Sequence, residues 1–221
     1  MMYETRLNVR RLSTCLSRLI PHVRQSEVAI TGGVVLQFGM AQLGVKRRGG
    51  TIADLDLVVS SVDAVAPSVS GAFLVSHYHV VRPGVPKFMV QLVDPVSRMR
   101  VDIFPDLVGS LARARTVQIE TQSVKMLAFE DVLEHKLLTL SKASPRNPVD
   151  PKHADDAYAL GKLLGRAIPV VAPESLAEDV YGIDADLFCP RCQLSLDSRF
   201  PLAPKDRIFS LLGWTRQPAG G

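Results

Sequence analysis

The chain has 221 residues, with 26 Lys or Arg against 22 Asp or Glu and a formal charge of +4. Its 47% apolar and 22% charged residues are the mix of a folded globular protein, which excludes disorder as the main state. The length suffices for one large core, or a core with an appendage, and the three cysteines make no disulfide framework, so a reducing cytoplasm is the expected setting.

Leu12, Cys15, Leu16, Leu19 and Ile20 recur at helical spacing and predict an amphipathic helix over residues 5–21. Glu4, Arg6, Arg10 and Arg11 interrupt any secretory apolar region there, so none is expected. Val28-Ala29-Ile30 predicts a short strand ending in Thr31-Gly32-Gly33, followed by a helix from Val34 to Leu43. The long apolar stretch Val28 to Val45 contains Thr31, Gly32, Gly33, Gln37 and Gln42, so no membrane span and no membrane partner are expected. Ala53 to Ser60 reads as a strand and Val62 to Gly71 as a helix bent or ended near Pro67. Strands over Phe73–Val81, Phe88–Val93 and Met99–Phe104 are punctuated by Pro83-Gly84-Val85-Pro86 and Asp94-Pro95.

After Thr121 the texture changes. Residues 129–142 and 154–165 carry helical spacing on either side of a Pro-rich loop, Ser144 to Pro151. The expected organisation is an α/β core over 1–122, a small mixed twisted sheet backed by helices. A mainly helical part over 123–181 closes a cleft, and an irregular tail over 182–221 follows. That tail holds Cys189-Pro190-Arg191-Cys192, half of a zinc knuckle without a second Cys pair, so a turn with two thiols is the plainer reading. His77 and His79 alternate on one strand face with no third ligand in sight.

The chemistry centres on Asp54-Leu55-Asp56-Leu57. Alternate residues of a strand share a face, so Asp54 and Asp56 point together while the leucines point into the core. Two carboxylates one strand step apart repel, and a hard divalent cation shared between them relieves the cost; oxygen ligands suit Mg²⁺. Asp102, flanked by Val101 and Ile103, joins them if its strand lies alongside. Upstream, the Thr31-Gly32-Gly33 turn lets backbone approach a ligand and opens a helix whose free N–H groups suit phosphate oxygens. Clusters of basic residues (Arg6 to Arg24, Lys46-Arg47-Arg48, Arg98 with Arg100, Arg113 with Arg115) suit a polyphosphate or nucleic acid, or are a solvated face.

Gly32-Gly33, then Asp54-Leu55-Asp56, then Val101-Asp102-Ile103 resembles the signature of the nucleotidyltransferase superfamily of the polymerase-beta type. Glu130-Asp131 with Lys136-Leu137, then Lys152 with Asp156 and Leu160, is similar to the AbiEii-type abortive-infection toxins of that superfamily. The resemblance covers about residues 25–165. It implies an enzyme moving a nucleoside monophosphate from an NTP to an acceptor hydroxyl, with two Mg²⁺ ions held by Asp54, Asp56 and Asp102. Lys136 and Asp156 complete the catalytic set, and Thr31, Gly32, Gly33, Arg48 and Lys136 bind the nucleotide. The acceptor it implies is tRNA or another RNA, else a protein or small molecule, with an antitoxin as possible partner. The rival is a non-catalytic protein that keeps the fold and binds RNA or a partner. A zinc or redox protein acting through Cys189 and Cys192 is third.

Overall fold

The computed structural model describes residues 2–42, 54–80, 88–146, 148–176 and 199–212. Helix α1 (Met2–Leu19) leads into strand β1 (Val28–Thr31), helix α2 (Gly32–Gln42) and strand β2 (Asp54–Val59). A short helix α3 (Val69–Ala72) precedes strands β3 (Leu74–Val80), β4 (Phe88–Val93) and β5 (Arg100–Pro105). Strands β6 (Arg115–Ile119) and β7 (Gln122–Met126) then lead to helices α4 (Phe129–Leu140), α5 (Lys152–Leu164) and α6 (Lys205–Leu212). The expected α/β class holds: one mixed sheet carries helices on both faces, in the order β3-β4-β5-β2-β1-β7-β6.

Alternation along β2 decides what each face covers. Leu57 and its neighbour Ile30 share a small cavity with Leu16 and Leu19 of α1, while Asp56 and Val58 face a cleft walled by Val132 and Lys136 of α4. α2 lies on the α4 side, close enough that a Cβ on Gly39 would sit 2.5 Å from the Phe129 ring. The pairings that matter for the site are β1 with β2, antiparallel, and β2 with β5, parallel.

Most predicted elements are present with shifted ends. α2 starts at Gly32, two residues before the expected Val34. The helix expected over Val62 to Gly71 is a 3-10 turn at Val62–Ala64 and the separate α3, because Pro67 has no N–H to continue the first. The β6–β7 hairpin was not anticipated. Its two-residue turn, Glu120-Thr121, lacks the glycine or asparagine that marks such turns, and Glu120 itself takes a φ of 49°. The hairpin carries the sheet past residue 122, since Ile30 pairs with Met126. Within the expected irregular tail, 199–212 holds α6, and Phe200 is buried edge-on against Tyr78 with ring centroids 4.9 Å apart. Among the described residues no helix is long and apolar enough to cross a membrane.

α1 is pinned to the β4–β5 turn by a buried carboxylate. Asp94 accepts from the Val96 and Ser97 amides at 3.1 Å each, from Ser97 Oγ at 2.6 Å and from Arg18 Nε at 2.8 Å. Removing an acceptor of this kind strands several donors at once. Asp94→Ala is therefore expected to lower unfolding free energy by about 3 kcal/mol in urea titrations, whereas a loss under about 1 kcal/mol contradicts this account.

Candidate functional site

The register of four adjacent strands lays polar side chains in one row across the middle of the sheet. Gln91 of β4 pairs with Asp102 of β5, Asp102 with Asp56 of β2, and Asp56 with Thr31 of β1. One step back along the strands, Asp54 pairs with Arg100. Directly paired residues share a face, so the acids of β2 and β5 meet on the α4 side. Asp54, Asp56 and Asp102 each offer an oxygen, and these oxygens lie within 4.8 Å of one another. The three expected acids are thus brought together.

Each acid has a different surrounding. Asp102 is buried, and its Oδ1 accepts from Gln91 Nε2 at 2.9 Å; the Gln91 amide is in turn fixed by Ser76 Oγ at 3.1 Å from its Oε1. Arg100 places Nη2 2.8 Å from Asp54 Oδ2 and 3.1 Å from Asp102 Oδ2. Burial, then the charges of Asp54 and Asp102, push the Asp56 carboxyl up to about 7, against the opposing pull of Lys136 and Arg100. A cluster of this kind suits a hard cation: all three donors are carboxylates, and the charge they share is costly without one.

Gly32 is the residue that lets the helix begin here. Its φ is +65°, and a Cβ on it would fall 1.9 Å from Asp56 Oδ2. The sequence points to the glycine pair as a phosphate turn; the geometry gives the strict requirement to Gly32, while Gly33 sits half-buried in the first turn of α2. Thr31 and Gly32 line the cleft with Asp56, beside the unpaired N–H groups of the first turn of α2.

The cleft holds about 320 Å³ of space. Its polar end is formed by Thr31, Gly32, Asp56, Lys136 and His153, and its floor turns apolar at Val58 and Phe104, two residues along the strands from Asp56 and Asp102. Lys136 of α4 is not a surface lysine with its head in water: its side chain is 13% exposed and Nζ lies 3.0 Å from Asp156 Oδ2 of α5, itself 5% exposed. His153 Nδ1 lies 3.3 Å from the same Nζ, and burial, then the charge of Lys136, hold its pKa down at about 4. A neutral imidazole can accept from the ammonium at that nitrogen.

Sequence reasoning passed over Arg100 as a site residue, and Gln91 and His153 as partners of the acids and of Lys136. Arg100 carried a signal, since it lies two residues before Asp102 and shares its face. Gln91 stands out as an amide between the buried Val90 and Leu92. Arg48, Thr51, Cys189 and Cys192 lie outside the described residues. Cys15 is buried in the core, and burial pushes its thiol up to about 12, away from the thiolate that metal needs. His77 is buried on β3, and His22 Nδ1 lies 3.0 Å from Ser68 Oγ, away from the cleft.

No protein-family model matches the sequence, and comparison with curated proteins finds no match. Among solved structures the chain is similar to an antigenic nucleotidyltransferase-like protein from Paracoccidioides brasiliensis. The identity is 19%, covering 77% of this chain and 78% of that one, with a TM-score of 0.39. It is also similar to the Megavirus polyadenylate synthase, at 11% identity over 78% of this chain and 35% of that one, TM-score 0.41. JHP933 from Helicobacter pylori is 12% identical, with 93% and 87% covered and a TM-score of 0.40. Such TM-scores carry no function to this chain, which must be read from its side chains.

Two expectations follow from the geometry. Gly32→Ala adds a methyl where Asp56 Oδ2 already sits and forces a side chain onto a positive φ. It is expected to cost about 1–3 kcal/mol of stability and to weaken divalent-ion binding; an unchanged melt and unchanged ion binding contradict it. The second concerns pH. Because the folded-state pKa of Asp56 is raised from 3.8 to about 7, its contribution to stability is full below 3.8 and is lost as pH rises through about 7. In EDTA, Asp56→Asn should therefore melt higher than the wild type at about pH 8 and little differently at about pH 4. An Asp56→Asn melt below the wild type at the higher pH refutes the assignment.

Proposed function

We propose that the protein is a metal-dependent nucleotidyltransferase that moves a nucleoside monophosphate from an NTP to an acceptor hydroxyl and releases pyrophosphate. One observation carries the reading: three carboxylates from two paired strands converge beside the N-terminus of a helix that only a glycine at its first position allows. Carboxylates for cations and free helix N–H groups for phosphate oxygens are the two needs of a triphosphate. The motif resemblance of Gly32-Gly33, Asp54-Leu55-Asp56 and Val101-Asp102-Ile103 supports the same superfamily.

In this reading Asp54, Asp56 and Asp102 hold one or two Mg²⁺ ions. When bound, the metal neutralises the triphosphate and the charge on attacking and leaving oxygens. Thr31, Gly32 and Gly33 supply backbone donors to the phosphates. Lys136 presents a fixed positive charge to the cleft, oriented by Asp156 and His153 rather than left to swing. Arg48 is assigned to the nucleotide by the motif alone. The hydroxyl oxygen attacks the α-phosphorus, and the bond to the oxygen bridging the α- and β-phosphorus breaks. Pyrophosphate leaves with that electron pair, and the hydroxyl proton passes to solvent. Asp102 would help hold the ion beside the acceptor hydroxyl, whose deprotonated form a bound metal would favour. The acceptor we assign is an RNA hydroxyl, with tRNA first, as the AbiEii-type resemblance implies; the same resemblance makes the chain the toxin of a toxin–antitoxin pair.

The test is incubation with each labelled NTP, Mg²⁺ and total RNA. Label is expected in RNA, lost in EDTA and lowered at least ~10²-fold in Asp56→Asn, the usual cost of removing such electrostatic stabilisation. Label in a protein or small hydroxyl compound keeps the reaction and overturns the acceptor. No transfer to any of them, with Mg²⁺-independent RNA binding that survives Asp56→Asn, overturns the enzyme in favour of a binding protein.

A further inference from the structure

Arg100 reaches two of the three acids of the cluster. Asp102 Oδ1 is engaged by the fully buried amide of Gln91, so Oδ2 is the oxygen turned to the cluster, and Arg100 Nη2 is 3.1 Å from it. The same nitrogen is 2.8 Å from Asp54 Oδ2. A single guanidinium nitrogen thus bridges two of the three carboxylates whose oxygens gather within 4.8 Å. A divalent ion drawing on Asp54 and Asp102 at metal–oxygen distances near ~2.1 Å has no room for a guanidinium nitrogen in the same place.

The Arg100 side chain is anchored differently from Lys136, the cation that lines the cleft. Its side chain is 26% exposed, whereas that of Lys136 is 13% exposed and locked between Asp156 and His153. A long, partly exposed arginine can give up two carboxylates and reach water or an anion; a lysine held in a buried ion pair cannot. Without a metal, the arginine offsets the repulsion of Asp54 and Asp102, and with it removed those two acids are short of a counter-charge and more eager for one.

We propose that Arg100 is the resident counter-cation of the acid cluster, and that it competes with the divalent ion for Asp54 and Asp102 and so sets the protein's metal affinity. This rests on the reading of the cluster as a metal site. Metal enters as Arg100 withdraws, so the free protein binds the ion more weakly than its carboxylates alone would.

The experiment measures Mn²⁺ binding directly, by the electron paramagnetic resonance signal of free Mn²⁺, in the full chain without nucleotide. The variants are Arg100→Met, Arg100→Lys and Asp54→Asn, each checked by circular dichroism. Losing a charge-assisted contact to two carboxylates should tighten Mn²⁺ binding in Arg100→Met at least about tenfold. Arg100→Lys keeps the charge on a shorter stem and should fall between it and the wild type; it also serves if the Met variant fails to fold. Equal or weaker binding in both Arg100 variants, with binding by the wild type lost in Asp54→Asn, overturns the proposal and leaves the metal site standing. No Mn²⁺ binding by the wild type or by any variant overturns both. Binding by Arg100→Met alone supports the competition in its strongest form.

Discussion

Three carboxylates drawn within 4.8 Å of one another by the register of two parallel strands repel, and the surrounding structure answers that repulsion. Arg100 bridges Asp54 and Asp102, the Gln91 amide donates to Asp102, and Lys136 acts on Asp56 from α4. Asp56 also sits against the start of α2, where the partial positive charge of a helix N-terminus favours an anion. Even so its pKa rises to about 7, which says that burial and like charge outweigh these offsets. A protein gains no stability from such an arrangement. A group so perturbed at the centre of a sheet marks a candidate functional site, and these three carboxylates could hold a metal ion.

The sheet order explains how the chain reaches that geometry. β2 and β5 are parallel neighbours, so the two strands carrying the acids cannot be joined by a tight turn, and β3 and β4 are spent in the connection. β4 returns antiparallel beside β5 and brings Gln91 opposite Asp102. On the other side β1 pairs antiparallel with β2 and ends at Thr31, level with Asp56, so that the chain must turn into α2 directly over the acid. A glycine at position 32 is what makes so abrupt a start possible. The fold and the site are the same set of constraints.

The acids, the glycine turn and most strands were legible in the sequence because each writes a local pattern. Asp54 and Asp56 alternate with Leu55 and Leu57, and Asp102 sits between Val101 and Ile103, so face and strand can be read without knowing the neighbours. What the sequence hides is pairing at a distance. Gln91 and Asp102 are eleven residues apart with a turn between, Arg100 and Asp54 forty-six, and no local pattern announces that they touch. Lys136 shows the same limit from the other direction. By spacing alone, among Leu133, Leu137 and Leu140, it reads as a helix lysine with its head in water; the family resemblance names it, and α5 packing on α4 turns it inward to Asp156. The β6–β7 hairpin was missed for a local reason, since Glu120-Thr121 carries none of the usual turn chemistry.

The two cations beside the acid cluster are not interchangeable, and the difference lies in what holds each one. Lys136 has a buried carboxylate 3.0 Å behind it and a neutral imidazole 3.3 Å to its side, so its position is set by α5 and does not depend on what enters the cleft. Its charge is a constant of the site. Arg100 sets one nitrogen against both Asp54 and Asp102, the contacts for which a stronger cation would compete. A buried fixed charge orients a ligand without reorganising, which is the condition for electrostatic stabilisation of a transition state. A partly exposed charge paired with the acids serves the opposite condition, and in the proposed metal site it keeps them paired until a stronger cation arrives. One helix pair thus fixes a lysine beside Asp56, while a strand sets an arginine against the other two acids.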